Sequence, residues 1–182
     1  MKSSEFILKD VGPKLVGTLQ LYVPKPKNNT EITEILKPAG EHIFWTSTAI
    51  KNPNGSYTSA WADWCAGNMP MWLTKEGALF KVTPGAKILS INTDKDALAV
   101  GAHYGYQPNF KDTFSLDSIK WITKFPWDKI QNDYDGIHHE PSGSRIMNWL
   151  MSSWDVESTA WFNRKYLQDA GRTKIRPEEL EA

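Results

Sequence analysis

The segment of this chain best equipped for chemistry is Trp154-Asp155-Val156-Glu157-Ser158-Thr159-Ala160-Trp161-Phe162, in which a Glu follows an Asp by two residues just ahead of a short apolar run. In an extended segment side chains alternate faces with a period of two, so the carboxyls of Asp155 and Glu157 are expected to project the same way. Two like charges on one face of a partly buried strand cost free energy through repulsion and desolvation, which marks the pair as a candidate catalytic site. The plainer reading of an Asp-x-Glu is a solvated strand start, and what weighs against it here is the rest of the chain.

Other familiar chemistries are not supported. No Gly-x-Gly-x-x-Gly follows a strand and no Gly-x-x-x-x-Gly-Lys-Ser/Thr is present, so neither glycine-rich phosphate cradle is expected. His138-His139-Glu140 with His103 raises a metal-dependent hydrolase as an alternative. It would require those side chains to converge, yet adjacent His on a strand face opposite ways and lack the i, i+4 spacing of paired ligands, so no metal is expected. Ser142-Gly143-Ser144 is not a Gly-x-Ser-x-Gly nucleophile elbow. The single cysteine, Cys65, excludes an internal disulfide and a Cys-rich zinc site, and beside Trp61 and Trp64 in an expected helix it reads as a small buried hydrophobe.

The elements that must position the carboxylates follow from pattern and punctuation. Residues 15–23 alternate in part and stop at Pro24 and Pro26, which predicts a strand. Asn29 or Thr30 can cap a short helix to Leu36. Residues 42–48, rich in aromatic and β-branched types, predict a second strand, followed by an Asn52-Pro53-Asn54-Gly55 turn. Thr58 or Ser59 caps a helix whose Trp61, Trp64 and Cys65 share one face, expected to be buried. Strands are expected at 78–83 and 86–91 across Pro84-Gly85, and Thr93 starts a helix holding Ala97, Leu98 and Val100. Beyond a loose segment at 101–113, helix is expected at 115–125, a turn from Pro126 to 132, a turn and strand over 134–138, and a strand at 158–163. Residues 144–153 fit helix or loop, and 171–182 read as a polar tail or peripheral helix. The reading is one α+β domain over 1–182 with its core at about 15–167.

Composition bounds the function. The 40% hydrophobic and 23% charged fractions are ordinary for a globular chain, whereas nine Trp are not. They fit a cleft for planar ligands or large rings packed in a core, and the number alone does not choose. With 21 basic and 21 acidic residues, no global field draws nucleic acid or an anionic membrane. The first residues lack the apolar run of a signal peptide and no segment approaches a spanning helix, so a cytoplasmic protein without a membrane partner is expected.

Taken in order, several of these pieces resemble one family. His42-Ile43-Phe44-Trp45-Thr46-Ser47-Thr48-Ala49 and its Trp-bearing helix look like the aromatic-x-Ser-Thr-Ser strand and following helix of ADP-ribosyltransferases. Asp133-Tyr134-Asp135-Gly136-Ile137 looks like their Asp-Gly-Ile/Val turn, and Asp155-Val156-Glu157 resembles their Glu/Gln-x-Glu element. The order and spacing are similar to a small bacterial or phage member over roughly residues 15–167.

The resemblance implies a split, twisted mixed β-sheet with flanking helices and NAD in the central cleft. Glu157 is implied as the catalytic glutamate, hydrogen-bonded to a nicotinamide-ribose hydroxyl, and Asp155 as the residue that orients or deprotonates the acceptor. Ser47 and Thr46 match the hydroxyls that position the glutamate, Phe44 or Trp45 matches a nicotinamide-stacking ring, and Tyr22 and His42 complete the cofactor-binding set. The implied activity is NAD-dependent ADP-ribosyl transfer, or NAD hydrolysis, with a protein, nucleic acid or small molecule as acceptor in the bacterial or phage-infected host cytosol. The alternative is a catalytically silent nucleotide-binding or host-factor-binding module on the same scaffold. Three departures leave subclass and acceptor open. No Arg precedes Arg145, so His42 or Lys25 must replace a first-strand Arg. The hydroxyl triplet is Thr-Ser-Thr, and Asp replaces Glu or Gln two residues before Glu157.

Overall fold

The computed structural model describes residues 8–24, 42–105, 125–141, 154 and 156–177. In chain order these form a helical turn α1 (Gly12–Leu15), β1 (Leu19–Tyr22), β2 (Phe44–Thr48), β3 (Ile50–Lys51), β4 (Tyr57–Thr58), α2 (Ala60–Asn68), a 3-10 turn (Pro70–Trp72), β5 (Glu76–Val82), β6 (Ile88–Ser90), α3 (Asp94–His103), α4 (Trp127–Asp133), β7 (Gly136–His139), β8 (Ser158–Trp161) and β9 (Leu167–Lys174). Seven strands make one sheet in the order β6-β7-β8-β2-β1-β5-β9, parallel only at β6·β7 and otherwise antiparallel. β3 and β4 form a separate hairpin. The chain is α+β with a mostly antiparallel mixed sheet and few helices.

The register of β2 organises the sheet. Phe44, Trp45 and Thr46 pair with Trp161, Ala160 and Thr159 of β8, whereas Ser47 and Thr48 pair with Leu21 and Gln20 of β1. β2 thus changes partner along its length, and β8 has left its side by the time β1 joins on the other.

Alternation then sorts side chains onto two faces. One face carries Leu21, Val23, Leu79 and Ile175 against Ala62 of α2. It continues as Leu89, Ile91, Ile137 and Ala160 against Ala97 and Val100 of α3 and Ile130 of α4, with Trp154 and Phe125. The opposite face is apolar at one end, where Phe44, Val82, Ile88 and Trp161 meet Leu15 of α1. Beyond that end it is polar and still buried, through Gln20, Thr46, Ser90, His138 and Thr159. Burying hydroxyls, an amide and an imidazole in a row is costly unless each finds a hydrogen-bond partner.

Several expectations are corrected. Leu15 belongs to α1, not to the first strand, because Pro13 starts a helical turn and Gly17, at φ 81, reverses the chain before β1. His42 precedes β2 in a turn. In α2 the buried residues are Ala62 and Cys65, while Trp61 and Trp64 are half-buried and stack with ring centroids 5.2 Å apart. The turn expected from Pro126 is the helix α4. The polar stretch from 171 is no tail: residues 167–174 are the edge strand β9, paired along β5. Its polarity suits an edge with little to bury, where charged side chains and a bulge discourage pairing with other chains. The expected helix at 29–36, that at 115–125 except for Phe125, which is not helical, and the ambiguous 144–153 lie outside the described residues.

The Asp-Gly-Ile element is a structural clamp. Asp135 Oδ2 accepts from the Lys87 backbone N–H at 2.9 Å and its Oδ1 from Asn163 Nδ2 at 3.0 Å, tying the start of β6 to the exit of β8. Gly136 is required by close approach, since a Cβ there would lie 2.7 Å from the Ala160 carbonyl oxygen. That contact is with backbone and cannot swing away. Gly136→Ala is therefore expected to cost about 1–3 kcal/mol through overpacking, read as a melting temperature lowered by several degrees. An unchanged melting temperature would show that β7 and β8 separate freely.

Candidate active site

Glu157 sits at the partner change. It lies in the bend just before β8, beside the half of β2 that β8 no longer reaches. Because backbone N–H groups along a strand point alternately to either side, Thr48 N–H faces the vacated side and requires an acceptor. Glu157 provides it: Oε2 accepts from Thr48 N at 3.0 Å and from Ser47 Oγ at 3.0 Å, and Oε1 accepts from Thr48 Oγ1 at 2.8 Å. The Ser47 hydroxyl is shared with the Glu157 backbone carbonyl at 2.7 Å and accepts from the Trp61 N–H in the first turn of α2 at 3.4 Å. Ser59 caps that helix, accepting from Ala62 N. Both carboxylate oxygens are thus fixed by neutral donors, each such bond to a charged group contributing roughly 1.5–3 kcal/mol.

Behind Thr48 runs a chain of donors with a single direction. Trp161 Nε1 donates to Thr46 Oγ1 at 2.8 Å, and Thr46 Oγ1 donates to Gln20 Oε1 at 2.9 Å. Gln20 Nε2 donates to Thr48 Oγ1 at 3.2 Å, and Thr48 Oγ1 donates to Glu157. Each bond polarises the next toward the carboxylate. On the other side His138 Nδ1 lies 3.7 Å from Glu157 Oε1 and 2.8 Å from Thr159 Oγ1. Among the described residues, His138 is the basic side chain within ion-pair distance of Glu157. The Glu157 side chain keeps 18% of its exposure and that of His138 10%, so the pair is largely but not wholly withdrawn from water.

Of the residues singled out by sequence, Glu157, Ser47 and Thr46 come together, the last through Gln20. Asp155 lies outside the described residues, as does Lys25. Phe44 is buried at the apolar end of the sheet, its ring 4.6 Å from that of Tyr22, 5.4 Å from that of Phe80 and under the Arg164 guanidinium. Tyr22 therefore shares a packing cluster with Phe44, away from the carboxylate. Trp45 points to the opposite face and meets Trp154 edge-on at 4.8 Å. His42 is exposed, with Nε2 3.3 Å from Gln131 Oε1 of α4. These four are not gathered around Glu157, because alternation separates 44 from 45 and the pairing of Phe44 with Trp161 places it two pairs beyond Thr46. The residues the sequence did not assign to this site are Thr48, Gln20, Thr159 and His138, the last having been considered as a metal ligand. Thr48 was within reach, as the third hydroxyl of the triplet.

The neighbouring His139 has a different task. Its Nδ1 donates to the Ile91 carbonyl at 2.6 Å, its ring meets Trp154 at 5.4 Å, and it faces away from His138. His103 packs against Tyr104 at the end of α3. Among the described residues no group of three His, Cys, Asp or Glu could hold a metal ion. Cys65 is buried and its thiol is pushed up to about 12 by desolvation. No protein-family model, curated protein or solved structure matches the chain.

Burial pushes both His138 and His139 below the ordinary imidazole value, outweighing the upward pull of Glu157 and Glu140 on the first and of the Ile91 carbonyl on the second. Their folded pKa values are depressed below 6.5, so as pH falls through 6.5 the unfolded chain takes up protons that the folded chain does not. Stability is intact above that value and declines below it. A melting temperature several degrees lower at about pH 5 than at about pH 7.5 is expected, with a shallower decline in His138→Gln. A pH-independent melting temperature would contradict both burial effects.

Proposed function

We propose that this chain binds NAD and breaks its nicotinamide–ribosyl bond, passing ADP-ribose to an acceptor or to water, with Glu157 as the catalytic carboxylate. The observation that carries the reading is the anchoring of Glu157 by Ser47 and Thr48 where β2 changes partner. As nicotinamide leaves, positive charge develops on the ribose, and an anion already held by fixed dipoles stabilises that charge without reorganising. A carboxylate also accepts from a ribose hydroxyl, which orients the sugar.

Supporting this is the placement of the motifs. The hydroxyl triplet lies on β2 and Glu157 opens β8, the two strands that flank the point where the sheet divides between β8 and β1. That arrangement agrees with an ADP-ribosyltransferase-like scaffold. Ser47 and Thr48 act as positioning residues, with Gln20 and Thr46 behind them. Stacking on nicotinamide is assigned to none of Tyr22, Phe44, Trp45 and His42. Asp155 remains the candidate for orienting the acceptor, which is a protein, nucleic acid or small molecule in the bacterial or infected-host cytosol. No metal enters the reaction in this reading.

One observation favours a catalytically silent binding module instead: both Glu157 oxygens already serve the sheet, as a purely structural clamp requires. The two readings separate in one variant. Glu157→Gln keeps the shape and the Oε2 acceptor while removing the charge, so under the enzymatic reading nicotinamide release from NAD falls about a hundredfold or more while the melting temperature changes little. Ser47→Ala removes one support and lowers turnover roughly 10- to 100-fold. Undiminished release in Glu157→Gln sinks the assignment, and a wild-type protein that releases no nicotinamide leaves the clamp as the remaining role.

A further inference from the structure

We propose that His138 is the general base of the Glu157 site, its Nε2 taking the proton from the hydroxyl or water that attacks the ribosyl carbon of NAD. The inference rests on the NAD-cleaving reading above and names the class of acceptor: a group that carries its proton at neutral pH and must lose it on attack.

The geometry sets the tautomer. His138 stands on β7 opposite Thr159 of β8, with Nδ1 2.8 Å from Thr159 Oγ1 and 3.7 Å from Glu157 Oε1. A carboxylate that close favours a proton on Nδ1, and the Thr159 hydroxyl accepts it as a hydrogen bond. The lone pair then resides on Nε2. No described residue bonds to Nε2, and it is not among the buried unpartnered atoms, so this nitrogen is the one open to a reactant. A base oriented through its far nitrogen by a hydrogen-bond acceptor and an anion is the arrangement that makes an imidazole useful in proton transfer.

The groups facing the ring are Glu157 from the bend before β8, Glu140 just past the end of β7, the neutral Ser90 paired with it from β6, and His139 pointing to the other face. Burial outweighs the two carboxylates and leaves the ring neutral at pH 7, as a base requires. In the step, the acceptor oxygen forms its bond to the ribosyl carbon while its proton passes to His138 Nε2. The carbon–nitrogen bond breaks, and its electron pair goes to the pyridinium nitrogen, releasing neutral nicotinamide. The imidazolium so formed lies beside the Glu157 carboxylate and returns its proton to solvent. Atoms and charge balance without a further reactant.

The test combines rates with a direct reading of the ring. Nicotinamide release is followed against pH for wild type, Glu157→Gln, His138→Gln and His138→Ala, with melting temperatures as the fold control. Wild-type turnover should rise with pH to a plateau through an inflection below 6.5. His138→Gln should lose that inflection and about 10²–10⁴ in rate, and added imidazole should restore part of the rate to His138→Ala. In the wild-type protein, nitrogen NMR of the labelled histidine should find Nε2 unprotonated at neutral pH, a reading that needs neither turnover nor a variant that folds. A proton on Nε2, or a native rate and inflection in His138→Gln, overturns the role of His138. If Glu157→Gln is dead at the same time, the NAD reading stands without it. A wild-type protein that releases no nicotinamide overturns both.

Discussion

Where β2 loses β8 and gains β1, the ladder on one side of the strand runs out one residue too early. The last pair across that side is Thr46 with Thr159, yet Thr48 still presents its N–H there. A buried backbone donor without a partner costs as much as a lost hydrogen bond, so the fold must supply an acceptor that no strand provides. The carboxylate of Glu157 is that acceptor, and the backbone carbonyl of the same residue is taken by the Ser47 hydroxyl. The bend before β8 is therefore tied to the end of β2 by side chains where ladder bonds have run out. A carboxylate is also the group whose desolvation is most expensive, which explains why so many donors converge on it and why a polar strip runs through an otherwise apolar face.

The strip has an internal logic. Every donor in the chain from Trp161 through Thr46, Gln20 and Thr48 points toward Glu157, so its dipoles add, and each member is committed once its neighbour is. Gln20 suits the middle position because its amide accepts at Oε1 and donates from Nε2, two atoms fixed in one rigid plane that bridge the hydroxyls of Thr46 and Thr48. The rotamer of the carboxylate is thus set by residues on three strands, β1, β2 and β8. Precision of this kind on strands, not loops, is what a preorganised site needs, and here it is also what ties the bend before β8 to the end of β2.

Much of the local structure was legible because its causes are local. Ser59 and Thr93 announce helix starts and do cap them, the second with a full capping box through Asp96. Glu157 and Ser47 stood out by type and order. What escaped depended on register. Nothing near His138 in sequence says that it will face Thr159, twenty-one residues on, and so come beside Glu157. The strand β9 was hidden for a different reason: at an edge with solvent on both sides there is no apolar period to read, and pairing with β5 is decided by backbone alone. Phe44 and Trp45 show the converse error. Both are aromatic and adjacent to the hydroxyls, but a period of two sends one to the α1 side and the other to the α3 and α4 side, so neither rings the carboxylate.

The electrostatic isolation of the site follows from the same construction. Glu157 is held by neutral dipoles, and its nearest described basic group is an imidazole that burial keeps uncharged near neutrality. A lysine or arginine in place of His138 would satisfy the carboxylate more simply, but it would also cancel the anion's field at the short range where a reacting or bound cation would feel it. Hydroxyls and amides stabilise the charge without cancelling it. With the chain as a whole carrying equal numbers of acidic and basic residues, no long-range field substitutes for this local one. The buried strip that looks like an expense of folding is what supplies neutral donors to both oxygens of one carboxylate inside the protein.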